Sequence, residues 1–195
     1  MTTPLLVVYL HTVRHLPLTL AASITAVGAL VSLAGNPAGG YLADRIGARP
    51  TSLTGLATAA AGTGLLAAAD TSAQAIACVA LLGLGVSMSL PAQQALLTHL
   101  VPAPDLARCF ALRYMMLNIG FGVGGLTAAL IAGSGHLGAF QTLYLTDAAS
   151  FLLAALLITR VPITGRTPHD APPNPWHTLR VLSGDRALRR LWLIA

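Results

Sequence analysis

The chain has no lysine and no glutamate. Its 11 basic residues are all arginine and its six acidic residues all aspartate, giving a formal charge of +5 at pH 7. Charged residues make up only 9% of the sequence and aromatics 5%, whereas a soluble domain carries about 25% charged residues. The chain therefore has too little charge to cover itself with a hydrated surface. The lack of glutamate, with histidines scattered along the chain, leaves no constellation from which an enzyme active site is built, so no catalytic residue is expected and the sequence points to no cofactor and no metal. Cysteine is scarce too: Cys78 and Cys109 fall in or beside apolar runs and read as small packing residues rather than a disulfide or ligand pair. No basic residue precedes the short apolar start at 4–10, which excludes a secretory signal reading. The basic balance has no soluble domain on which to form a groove, so no nucleic-acid partner is expected.

What the chain does have is apolar sequence. Hydrophobic residues reach 55% and the mean hydropathy is +0.73. Residues 16–43 and 50–69 contain no Asp, Glu, Arg, Lys or His, and each run reaches the ~20 residues that cross a bilayer. With no water in the bilayer to satisfy backbone groups, such runs must be helical. The expected fold is an all-α, multi-pass membrane protein whose first partner is the lipid bilayer.

Taken in order, residues 1–12 read as the tail of a transmembrane helix, and 18–42 as the first full span. Gly35 and Gly39 share one face of that span, where a second helix can approach closely, and Pro37 is expected to kink its inner end. Residues 43–50 form a polar turn, and 51–69 a second span rich in Ala, Gly and Thr. A third span covers 75–101, with Pro91, Gln93 and Gln94 near its end. Polar residues around Pro102 and Pro104 then mark a turn, with Arg108 and Arg113 after them. A fourth span covers 112–132 and a fifth 140–161. Residues 162–190 read as a proline-rich linker with a basic amphipathic helix from Trp176, and 191–195 as the opening of another span.

The turn at 43–50 carries the most specific signal. Gly40, Leu42, Ala43, Asp44, Arg45, Gly47 and Arg49 match the pattern G-x-L-a-D-r-x-G-r-k-x-x-l, and the chain thereby resembles the major facilitator superfamily of transporters, where this motif joins the second and third transmembrane helices. Ala48 and Ser52 depart from the pattern. The resemblance implies an N-terminal six-helix bundle with helix 1 truncated and helix 7 only begun, since members have two six-helix halves. It implies a small-molecule substrate and, as a further partner, a missing C-terminal half. It assigns Gly40, Leu42, Asp44, Arg45, Gly47 and Arg49 to a conformational switch, with Asp44 at a helix N-terminus or paired to a basic group. Gly120 and Gly124 match part of the fifth-helix glycine pattern of antiporters, with Gly125 standing where that pattern has proline. This leads to an expectation of proton-coupled efflux. The arginine that serves proton coupling in the fourth helix of some members has no counterpart here.

Placing alternate turns on alternate sides puts every arginine but Arg14 on one side, which the positive-inside rule makes cytoplasmic. The expected location is the plasma (inner) membrane, with the motif turn and central linker facing the cytoplasm. Two residues inside spans are candidates for a substrate or proton site. Asp147 is the one acidic residue within a span, and an ionisable group at depth is costly. Asn118 shares a helix face with Gly122 and Gly125. Each has a simpler reading, Asp147 as a paired or hydrated group near the outer end of its helix and Asn118 as an interhelical hydrogen bond. The alternative function is a truncated, non-transporting membrane half that needs a partner or is inactive.

Overall fold

The computed structural model describes residues 6–7, 9–13, 16–132 and 137–161. Residues 133–136 and everything from 162 onward, including the expected linker helix and final span, lie outside the described residues. Among the described residues all regular structure is helical. A π-helical turn, Tyr9–Val13, is followed by α1 (Leu18–Ile46), α2 (Ala48–Leu66), α3 (Ser72–Leu100), α4 (Ala103–Ala132) and α5 (Leu137–Arg160). Four of them, α1, α3, α4 and α5, are long and apolar enough to cross a membrane. The fifth, α2, is built of Ala, Gly, Thr and Leu, and its small side chains are buried against neighbours, among them Gly55, Ala59, Gly62 and Thr63.

Close backbone approach holds α1, α2 and α3 together. Where α2 crosses α3, a Cβ on Gly55 would lie 2.8 Å from the Gly85 carbonyl oxygen and 2.9 Å from the Ser89 amide nitrogen. Dispersion between backbones at this distance replaces the hydrophobic drive that lipid removes. Ser32 Oγ donates both to the Gly28 oxygen of its own helix at 2.9 Å and to the Gly83 oxygen of α3 at 3.2 Å.

At one end of the bundle, the π-helical turn inserts Tyr9 into a core with Leu10, Ile24, Leu66, Phe140 and Tyr144. The Tyr9 ring lies 5.4 Å from Phe140 and 5.1 Å from Tyr144, the latter edge-on at 73°, within the range where aromatic pairs attract. Gln141 Nε2 in α5 donates to the Ala67 carbonyl oxygen at 3.1 Å. At the same end α3 begins on a reciprocal cap. Thr71 Oγ1 accepts from the Gln74 amide, and Gln74 Oε1 accepts from the Thr71 amide.

Several boundaries differ from the sequence expectation. The polar turn at 43–50 shrinks to Gly47, because α1 runs on to Ile46 and α2 begins at Ala48. Gly47 has φ 100, a conformation open in practice to glycine. Pro37 and Pro91 lie inside unbroken helices, as packed transmembrane helices permit. The largest shift is in α4, which starts at Ala103 rather than 112. Pro104 falls in its first turn, where a missing N–H costs no hydrogen bond. Asp105 lies in the same turn and complements the positive end of the helix dipole. Arg108 and Arg113 are therefore helical residues.

Candidate functional site

An open cavity of about 820 Å3 lies among the helices, lined by residues of α1 through α5 and by Leu6. That volume falls within the ~300–1,000 Å3 range typical of small-molecule sites. Its wall is mainly apolar, with Leu82, Val86, Met116, Leu117, Phe121 and Phe151 contributing the bulk.

Six polar side chains also reach it: Thr25, Ser32, Ser89, Gln93, Arg113 and Asp147. The three hydroxyls give their protons to helix backbone and keep acceptor capacity alone. Thr25 donates to Ala21, Ser32 to Gly28 and Gly83, and Ser89 to Val86. This leaves Gln93, Arg113 and Asp147 as the groups that give the cavity its chemistry.

Asp147 is 7% exposed and stands ten residues into α5, or about 15 Å along the axis at 1.5 Å per residue. It has an interaction partner of its own. Arg113 stands ten residues into α4, an equal ~15 Å from the helix start. It is half-buried, and among the described residues it has no ion pair. Its hydrogen bond is a long one, from Nη2 to Gln93 Oε1 at 3.5 Å. Arg113 stands about a third of the way along the 30-residue α4, and a charge in a largely apolar wall favours a compensating partner. Sequence reasoning missed Arg113 because the prolines upstream read as a turn and drew the arginine into it.

Asn118 does not share the cavity. It is exposed, and its Nδ2 donates to the Tyr114 carbonyl oxygen of its own helix at 2.8 Å. Gln94, next to Gln93 in α3, is exposed as well. Of the α4 glycines, Gly120 lines the cavity and Gly124 is buried. A Cβ on Gly125 would meet nothing within 4 Å, so no helix packs against that position here.

The motif residues form a separate group where α1 meets α2. Leu42 is half-buried and Gly40 has open space around it. Asp44 lies exposed in the last turn of α1 and makes no ion pair among the described residues, unlike the helix N-terminal or paired placement that the motif implies. The reason is the continuation of α1 to Ile46. The Arg45 guanidinium sits 4.9 Å from the Tyr41 ring centroid, a cation–π arrangement. Arg49 donates from Nη2 to the Thr159 carbonyl oxygen near the end of α5, tying the start of α2 to a helix far along the chain.

The thiols Cys78 and Cys109 are free. His11 Nδ1 is 2.9 Å from the Leu16 carbonyl oxygen, while His15 and His136 lie outside the described residues. Among the described residues no group of His, Cys, Asp or Glu could hold a metal ion.

The family model described as Major Facilitator Superfamily matches residues 1–195. A comparison with curated proteins finds no match.

Proposed function

The chain belongs to the Major Facilitator Superfamily of membrane transporters, and we propose that it takes part in proton-coupled efflux of a small molecule across the plasma membrane. The observation that carries this reading is the cavity of about 820 Å3 with Asp147 in its wall. A carboxylate at this depth can alternate between a charged and a neutral state, and so can exchange a proton as the cavity opens to one side or the other. The outward direction rests on Gly120 and Gly124, which match the antiporter pattern in part.

In this reading Gly40, Leu42, Asp44, Arg45, Gly47 and Arg49 form the switch. The Arg49 bond to the Thr159 carbonyl holds the start of α2 against the end of α5 and is broken and remade as the helices shift. Asp44, exposed and without an ion pair here, gains a basic partner in the alternative state.

The test uses the full chain in proteoliposomes with a trapped pH-sensitive dye. Organic acids, amines and neutral compounds are added in turn. A transported compound is expected to move protons across the membrane with the wild-type chain, and Asp147→Asn is expected to abolish the proton signal. Proton movement that survives in Asp147→Asn rules out Asp147 as the carrier. Silence from the wild-type chain toward every compound rejects proton-coupled transport by this polypeptide.

A further inference from the structure

Among the described residues the cavity wall holds one cation, Arg113, and one anion, Asp147, and they are not equivalent. Asp147 has an interaction partner within the protein. Among the described residues Arg113 has the neutral oxygen of Gln93, at 3.5 Å, as its acceptor. A guanidinium presents five N–H donors in a planar fork, and among the described residues one of them is used, by Gln93. Next to it on α4, Met116, Leu117 and Phe121 extend an apolar wall. α4 is itself one of the candidate spans, so Arg113 belongs to a membrane helix and not to a solvated turn.

We infer that Arg113, oriented by Gln93, binds the anionic end of an amphiphilic small molecule, whose apolar body lies along Met116, Leu117 and Phe121. The ligand class is an organic acid, a carboxylate on a hydrocarbon or aromatic body. The fork matches a carboxylate through two parallel N–H···O bonds, and the cavity volume suits a body of drug size or smaller. Gln93 serves as a positioning residue, with its Oε1 holding one arm of the fork while the other arms face the cavity. This names the substrate class for the transport reading and rests on it only for calling the ligand a substrate; binding itself needs no transport.

The probe is 4-phenylbutyrate at pH 7.5, with its neutral amide and the 4-phenylbutylammonium ion as controls. The full chain is placed in phosphatidylcholine nanodiscs, and thermal denaturation is followed with each compound. The acid is expected to raise the melting temperature in a saturable way, while amide and ammonium do not. Arg113→Gln should weaken the response at least tenfold, and Arg113→Lys, which keeps the charge but loses the fork, should fall between. Equal responses to acid and amide overturn the inference on wild-type protein alone, without relying on any variant folding. So does an acid response that Arg113→Gln leaves unchanged, or an ammonium response that Asp147→Asn removes. A lipid headgroup offers the same chemistry. Nanodiscs containing phosphatidylglycerol therefore form a further arm, and stabilisation by that lipid in place of the acid, lost in Arg113→Gln, overturns the small-molecule assignment. Loss of proton movement with binding intact would reject the transport reading and leave the anion site standing.

Discussion

Two adjacent glycines, Gly39 and Gly40, make opposite demands on a side chain. A Cβ on Gly39 would lie 2.7 Å from Met88 Cα and 2.9 Å from its carbonyl carbon, whereas one on Gly40 would meet nothing within 4 Å. Gly39→Ala must push α1 away from α3, and backbone cannot yield as a side chain can. We expect it to lose about 1–3 kcal/mol, the usual cost of overpacking. Gly40→Ala should gain up to about 1 kcal/mol from helix propensity. Thermal denaturation of the two variants checks this, and equal melting temperatures would show that the α1–α3 approach is looser than described. The pair also isolates the switch: if Gly40 is needed only in the alternative state, Gly40→Ala slows transport without lowering stability. The spacing of Gly35 and Gly39 made a packing face legible from sequence. Which helix would meet it was not, because that depends on contacts distant in the chain.

Helix ends show where one-dimensional reading works and where it fails. The cap on α3 rests on Thr71 and Gln74, and replacing Thr71 with Ala should cost about 1 kcal/mol. Gln74→Ala removes the reciprocal acceptor for the Asp70 and Thr71 amides. Because both act on one cap, the double variant should cost less than the sum of the single ones, which a thermal double-mutant cycle measures; strict additivity would mean the two hydrogen bonds act independently. The start of α4 misled in the other direction. Pro102 and Pro104 resemble breakers, yet a proline in the first turn has no hydrogen bond to lose. Charge near Arg108 and Arg113 reinforced the impression of a turn, since charge inside a span is rare. Residue types are legible in the sequence but their register against the cavity is not, so Arg113 reads there as a topology signal and Asn118 stays open between a cavity residue and an interhelical hydrogen bond. The single-residue turn at Gly47 allows a third test. Its φ of 100 lies where a Cβ is strained, and Gly47→Ala should destabilise the α1–α2 turn by about 1–3 kcal/mol. A melting temperature equal to wild type would mean the turn relaxes to an ordinary conformation.

For the molecule as a whole, the long exposed apolar faces of α4 and α5 have a simple reading. Tyr114, Leu126 and Leu130 on α4, and Leu152, Leu156 and Leu157 on α5, are all more than half exposed. A solvated protein does not sustain such faces, but a bilayer accepts them without cost. The alternation of the helices then puts the α3 start, around Thr71, on one side of the membrane. The α1–α2 turn and the α4 start lie on the other. The arginines concentrate on that second side, with Arg45, Arg49 and Arg108 all near helix ends there. By the positive-inside rule we propose that this is the cytoplasmic side. This can be read directly from cysteine accessibility. In a background with Cys78→Ala and Cys109→Ala, single cysteines are placed at Ala73 and Ala107, both exposed. A membrane-impermeant maleimide added to intact cells should label Ala73→Cys and spare Ala107→Cys, and permeabilising the membrane should make both react. Labelling of Ala107→Cys alone would invert the molecule, put the switch motif outside, and reverse the direction in which the cavity delivers its cargo. Labelling of both in intact cells would mean that α3 does not cross the membrane between them, and would remove the premise that Asp147 and Arg113 face a cavity within the bilayer.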